Sequence, residues 1–226
     1  MRKYIVLIVC LALSCVALTC QAQENQTSKR TAIPQMTDDD LNNKNSSANS
    51  GNTGDSQNDN DPHALIERSA GALDKLKSFR MQVLLSGNPD GDIILSKVEV
   101  VNPGRIYSRS EREEMIEIGL STWKREGAGR WSEIQKQGNI SPGEMLKAMM
   151  SLVENPGISI SEETRGKVSL IVYSFTEPAG GYVKIWIGKA DGLPRRTESG
   201  NSASPVKTVM TFYDFNAPII INAPKK

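Results

Sequence analysis

Apolar and polar positions follow three different patterns along the chain, and these divide it into three segments. Residues 1 to 22 start with two cations and continue as a mostly apolar run from Ile5 to Leu18, which is typical of a secretory signal peptide and short for a membrane-spanning helix. Residues 23 to 62 are rich in Asn, Ser, Asp and Gln and have little apolar surface to bury, so we expect a disordered tether. Residues 63 to 226 alone have the periodic apolar positions of a folded domain.

The domain begins with a helical period that then changes to a strand period. Asp61-Pro62 is a favourable helix start, and apolar residues recur at intervals of three and four from Ile66 to Leu76. From Phe79 onward the apolar residues fall on alternate positions, which indicates a strand. Further strands are predicted at residues 92–101, 105–110, 114–118, 122–125 and 131–134.

A second helix is predicted after these strands. Ser141-Pro142-Gly143-Glu144 forms a capping box with proline at the first helical position, and Asn155-Pro156-Gly157 ends the helix. Strands follow at 158–161, 167–175, 182–188, 195–199 and 206–215. Since the connections between strands are short, the strands must pair antiparallel, and we predict an α+β fold in which helices cover one face of a curved sheet.

The composition leaves few side chains for catalysis. The three cysteines all lie within residues 1 to 22, and the single histidine, His63, falls in the first turn of the predicted helix. A thiol nucleophile, a Ser-His-Asp triad and the usual Cys and His metal sites therefore lack their side chains in the domain. The net charge of +1 provides no field for nucleic acid. We expect a protein that is not an enzyme, with no cofactor, no metal and no nucleic-acid partner.

Two processing sites compete in the leader. Leu11-Ala12-Leu13-Ser14-Cys15 matches the lipobox of bacterial lipoproteins, in which the cysteine receives the lipid. The alternative is an ordinary signal-peptidase cut after Ala22. Either way we expect export to the periplasm or cell envelope, with a membrane anchor in the first case.

Several ordered motifs between residues 64 and 224 resemble the LolA-like family of exported lipoprotein and lipid carriers, which includes the LppX/LprG-type lipoproteins. They are Leu76–Arg80, Val101–Arg105, Glu114–Gly119, Gly129–Trp131, Trp186–Gly188, Asp191–Arg196 and Tyr213–Ile219. The resemblance implies a half-open antiparallel barrel whose concave apolar face is covered by helices, and a lipid or lipidated protein as cargo. It also implies an arginine on an early strand that helps to control opening, and Arg80 lies in a comparable place.

Together these observations predict a monomeric, non-catalytic carrier or binding protein for an apolar or acylated molecule. We expect the ligand to lie between the sheet and the methionine-rich second helix, in contact with Phe79, Met81, Val83, Met145, Met149, Met150 and Val153. The alternative is an envelope interaction or structural module that has the same fold and a filled core, and that binds a protein partner through a sheet edge or its hairpins.

Overall fold

The structure is a computed structural model that describes residues 62–135, 141–150 and 157–225. Two helices lie in these ranges, α1 (Pro62–Asp74) and α2 (Pro142–Met150). The described residues contain no helix with the length and hydropathy needed to cross a membrane. The strands are β1 (Ser78–Ser86), β2 (Ile93–Val101), β3 (Arg105–Arg109), β4 (Glu113–Ile118), β5 (Ser121–Glu126), β6 (Ser132–Ile134), β7 (Gly157–Arg165), β8 (Val168–Thr176), β9 (Gly181–Gly188), β10 (Pro194–Asn201) and β11 (Lys207–Tyr213).

All eleven strands form one antiparallel sheet, in the order β6-β5-β4-β3-β2-β1-β11-β10-β9-β8-β7. Consecutive strands pair with one another except β6 and β7, and at the centre β1 pairs with β11. The described part of the sheet is open, with β6 and β7 at its two edges. The prediction of an α+β fold built on an antiparallel sheet is therefore confirmed.

Both helices pack against the same face of the sheet, which we call the helix-bearing face. Alternation along β8 and β9 directs Tyr173 and Ile185 toward the helices and Trp186 away from them. The cluster beneath the helices comprises Ile66, Ala70, Leu146, Tyr173, Phe175, Val183, Ile185 and Ile187. A second cluster joins the end of α1 to β1, β2 and β11, and comprises Leu73, Leu76, Phe79, Met81, Val100, Leu193 and Phe212. These two clusters form the core on this face.

The two helices meet at the C-terminal end of α1. The side chain of Asp74 accepts a hydrogen bond from the backbone N–H of Gly143 at 2.9 Å, and so takes part in capping α2. A Cβ atom at Gly143 would lie 2.7 Å from the backbone oxygen of Ala70, so only glycine permits this approach. The predicted capping box is present, since Ser141 N–H donates to Glu144 at 3.0 Å and Glu144 N–H donates to Ser141 Oγ at 3.1 Å.

Candidate apolar binding site

The cluster around Phe79 has a closed centre and a half-exposed margin. Phe79 and Phe212 are fully buried, with ring centroids 6.3 Å apart. Six partly buried apolar side chains pack around this centre: Ala72, Val83, Val98, Met145, Met210 and Phe215. Val83 pairs with Met210 across β1 and β11, so the margin crosses neighbouring strands of the helix-bearing face. Apolar surface therefore continues from the core to the solvent.

A pocket of about 410 Å³ lies beside this cluster, between the first turn of α2 and strands β2 to β4. Its apolar lining is formed by Val100, which belongs to the cluster, by Ile106, which pairs with Val100 across β2 and β3, and by Pro103 and Pro142. Pockets for small ligands commonly measure roughly 300 to 1,000 Å³. The pocket is thus of adequate size for a small ligand and is continuous with the core through Val100.

The polar side chains around the pocket are engaged in helix capping and turn formation. Ser141 Oγ donates to Asp74 at 3.1 Å, and Glu144 is bonded to the Ser141 backbone as described above. Asn102 Nδ2 donates to the backbone oxygen of Leu76 at 2.7 Å. Glu117 also lines the pocket, opposite Ile106 in the β3–β4 register. The capping and turn groups fix the walls, and Glu117 and the apolar side chains also line the pocket.

The structure brings together four of the residues expected at the ligand site. Phe79 is fully buried and Met81 is 5% exposed, whereas Val83 and Met145 belong to the half-exposed margin. Met149 is buried at 6% exposure. The side chain of Met150, together with Val153 and the lipidation candidate Cys15, lies outside the described residues. Contact of these seven residues with a ligand stays a prediction.

Sequence reasoning missed several residues that line the site. Val98 and Val100 pair with Met81 and Phe79 across β1 and β2, so they share the same face. Their alternation along β2 was a usable signal, because every second residue of a strand points to one face. Ile106 could be placed only once the β2–β3 register was known. Met210 could be placed only once the pairing of β1 with β11 was known, because these two strands lie far apart in the sequence.

Arg80 lies on the other face of the sheet, because it alternates with Phe79 and Met81. Its guanidinium donates to Glu99 at 2.8 Å and to Asp214 at 2.6 Å. These hydrogen bonds raise the pKa of Arg80 above its ordinary value. Arg80 therefore ties β1 to β2 and to the segment after β11, on the face away from the apolar cluster.

A second polar network joins β3, β4 and β5 on that same face. Glu114 accepts a hydrogen bond from Tyr107 at 2.8 Å and two from Arg125 at 2.9 and 2.8 Å. Burial alone would raise the pKa of Glu114, but these donors outweigh it and hold the pKa below its usual value. Arg125 also lies over the ring of Trp131, 4.8 Å from its centroid. The basic and aromatic residues of this hairpin thus contact one another.

The structure also places the single histidine and the carboxylates of the described ranges. His63 lies on the exposed side of the first turn of α1. Within residues 62–135, 141–150 and 157–225, no three His, Cys, Asp or Glu side chains are placed to hold a metal ion. The arrangement that the structure does show is an apolar cluster with a half-exposed margin and an adjoining pocket.

No family model matches the sequence, and no curated protein matches it significantly. Among solved structures, the chain is similar to LprF from Mycobacterium bovis, with 13% identity and a TM-score of 0.47, over 73% of this chain and 97% of that chain. It is also similar to the LolA superfamily protein NE2245 from Nitrosomonas europaea, with 9% identity and a TM-score of 0.30, over 70% and 94% of the two chains.

A third similar structure is a putative outer membrane lipoprotein-sorting protein domain from Vibrio parahaemolyticus, with 12% identity and a TM-score of 0.32, over 69% of this chain and 92% of that one. These similar structures include members of the group that the sequence motifs resemble. At these identities the likeness concerns architecture and assigns no ligand.

Proposed function

We propose that this chain is an exported, non-catalytic binding protein for an apolar or acylated molecule. The ligand lies on the helix-bearing face, between the first turn of α2 and strands β2 to β4, and this face is the concave side of a half-open barrel. The observation that carries the proposal is the pocket of about 410 Å³ whose apolar lining includes Val100, a member of the buried cluster.

The physical basis is the removal of apolar surface from water. Val98, Met145 and Met210 are half-exposed in the free protein although they pack against a closed core. An acyl chain that covers them gains roughly 25 cal/mol for each Å² of apolar surface buried, before the cost of ordering the chain. Methionine suits such a site because its flexible, polarizable side chain adapts to ligands of different shape.

The leader and the polar segment support a location at the cell envelope. The lipobox-like residues Leu11 to Cys15 favour a lipid anchor at Cys15, and a cut after Ala22 stands as the other route of export. As the disordered tether that the sequence predicts, a polar segment of about forty residues would have a mean reach of roughly 35 Å, at about 5 to 6 Å times the square root of its length. That reach lets the domain work at a distance from the membrane that holds it.

A matched pair of variants tests the site. Ile106 and Ile118 are both half-buried isoleucines on neighbouring strands, but Ile106 lines the pocket and Ile118 lies on the other face. We expect Ile106→Gln to weaken the binding of the fluorescent fatty acid cis-parinaric acid about tenfold, which corresponds to roughly 1.4 kcal/mol. Ile118→Gln should leave probe binding unchanged. Both variants are compared by thermal melting to show that each is folded.

Two results would contradict the proposal. One is an equal loss of probe binding in both variants, which would indicate general damage to the sheet. The other is a wild-type protein that binds no probe and that yields no lipid when organic extracts of the purified protein are examined by mass spectrometry. The second result would favour the interaction module described next.

A specific observation supports the alternative of a protein-interaction module. The edge strand β7 is nine residues long, and Ile158 and Ile160 are 43% and 44% exposed. Among the described strands, β7 has a partner on one side only, and such an exposed edge is a template for an added strand from a partner. In this alternative Ile160→Lys abolishes capture of the partner, and acyl probes do not bind.

A further inference from the structure

The pocket beside α2 has an excess of negative charge. The carboxylates of Asp74, Glu117 and Glu144 line it, and none of the described residues that line it is a lysine or an arginine. Asp74 and Glu144 accept hydrogen bonds from neutral groups, the backbone N–H groups of Gly143 and Ser141 and the Ser141 hydroxyl. Neutral donors satisfy these carboxylates without cancelling their charge. The positive end of the α2 dipole offsets about half a charge, so the pocket remains negative.

One lysine of α2 lies near the pocket but has a partner elsewhere. Lys147, in the turn that follows, forms an ion pair with Glu67 of α1. The hydrogen bond to Glu67 is the main reason why the pKa of Lys147 is raised, and the charges of Asp74 and Glu144 add to the rise. These two carboxylates therefore favour positive charge in the space around the first turn of α2.

The polarity of the site changes along one row of residues that crosses the sheet. Val100 pairs with Ile106 across β2 and β3. Ile106 pairs with Glu117, and Glu117 pairs with Thr122 of β5. Directly paired residues share a face of the sheet, so the row begins at the apolar core of the helix-bearing face and ends at polar side chains. At about 4.8 Å between strands, the row spans roughly 14 Å, which suits an amphiphile with a short apolar chain.

The polar end of the row contains a buried hydroxyl that folding leaves unused. Thr122 is 4% exposed, and its Oγ1 atom has no hydrogen-bond partner in the described part of the chain. A buried hydroxyl without a partner is unfavourable, and native structures usually supply one. Because Thr122 lies beside Glu117, a ligand head that enters there meets both a carboxylate and a hydroxyl acceptor. A primary ammonium has three hydrogen-bond donors and the complementary charge.

We propose that the pocket selects an amphiphile whose head is a protonated amine. The head lies at Glu117 and Thr122, in the negative field of the pocket, and the apolar chain covers Val100 and Ile106. The inference rests on the proposed function, since it names the head group of a molecule that binds the same pocket. Glu117 is the specificity-determining carboxylate that a variant can change, because it lies on a strand and α2 keeps its cap without it.

The test compares three ten-carbon probes that differ only in their heads: decylamine, decanol and decanoate. Binding of each probe to the full chain is measured by isothermal titration calorimetry at low salt, below the concentration at which the probe forms micelles. We expect decylamine to bind about tenfold more tightly than decanol, and decanoate to bind more weakly than decanol. Raised salt should reduce the preference for the amine, because it screens the charge, and should not reduce the binding of decanol.

Variants decide which side chains are responsible. Glu117→Gln should remove the preference for decylamine and leave the affinity for decanol unchanged. Glu113→Gln is the matched control, because Glu113 is a glutamate of the same strand and the same face that lies outside the pocket lining. Thr122→Val keeps the shape of the side chain and removes the hydroxyl. It should weaken the binding of decylamine but not of decanol, without lowering the melting temperature.

The outcomes separate this inference from the proposed function. Equal binding of decylamine and decanol by the wild type would overturn the inference and leave the proposed function standing. Tightest binding of decanoate would do the same, because it would assign the pocket to anionic heads. An equal loss of the preference in Glu113→Gln and Glu117→Gln would also overturn it, since the effect would then be one of overall charge. Binding of none of the three probes would overturn both.

Discussion

The two halves of the sheet contribute unequally to the apolar core. Under the helices, β8 and β9 contribute Tyr173, Phe175 and Ile185 to a cluster whose members are almost completely buried. Strands β3 to β6 contribute no member to either cluster of the helix-bearing face within the described residues. They are joined by side-chain hydrogen bonds and ion pairs, such as those of Glu114 with Tyr107 and Arg125. Similar pairs, such as Arg196 with Glu198, also occur in the other half.

We call β8 and β9, with the helices above them, the filled half, and we call β3 to β6 the outer half. The candidate site lies at the boundary between the two. In the filled half, side chains occupy the space between helix and sheet, so a ligand would have to displace them. In the outer half, Ile106 and Glu117 line a pocket beside α2. A binding protein needs both halves, because the filled half stabilises the fold and the outer half leaves space for a ligand.

The largest expected effect comes from the filled half. Ile185 is completely buried beneath the helices, so Ile185→Ala should lower the free energy of unfolding by about 2 to 5 kcal/mol through lost burial and the cavity left behind. The measurement is urea-induced unfolding followed by circular dichroism. Met115 serves as the counterpart, since it is a half-buried side chain of β4 on the same face. Met115→Ala should cost about 1 kcal/mol. Equal losses at both positions would contradict the division into two halves.

The order of the elements could be predicted from the sequence because periodicity and turn residues are local signals. Pro62 and the capping box at Ser141 marked the helices, and all eleven strands were found near their observed places. The length of strand β7 was underestimated. Its residues Glu162 to Arg165, after Ser161, are mainly charged and lack an apolar alternation. An edge strand does not need that alternation on a solvent-facing side.

The candidate site was only partly predictable for a physical reason. Phe79, Met81 and Val83 share a face by simple alternation within β1, and that face does meet the core. Val100 and Ile106 join them through strand register, which depends on turn geometry and long-range pairing. Arg80 shows the same limit, since the resemblance gave it only a comparable place on an early strand, and its pairing with Glu99 and Asp214 appeared only in the structure.

A smaller effect, dependent on pH, is expected in the outer half. Glu114 has a pKa held below its ordinary value, so its ionised form contributes stability that is present above about pH 4.5 and is lost as the pH falls through the folded-state pKa. Glu114→Gln should cost about 1 to 3 kcal/mol at neutral pH by leaving Arg125 without its carboxylate partner. Because the variant has lost this contribution already, its stability should fall less than that of the wild type on acidification.

The control for this variant is Glu111→Gln, at an exposed position in the β3–β4 turn. It should leave both the midpoint of urea unfolding and its pH dependence unchanged. The result against the interpretation would be parallel pH curves for Glu114→Gln and the wild type, since the carboxylate would then have no lowered pKa to lose.

The smallest expected effect lies at α2, where the two halves meet. Ser141→Ala removes the oxygen that accepts the N–H of Glu144 and donates to Asp74, and the loss of such a cap costs about 1 kcal/mol. Ser132→Ala in β6 removes an exposed hydroxyl that bonds Lys124 at 3.2 Å, and should cost less than about 0.5 kcal/mol. Thermal melting gives both values. The helix should persist in Ser141→Ala because Leu146 is completely buried against the filled half. A loss of several kcal/mol would show instead that the cap, and not Leu146, holds α2 beside the pocket.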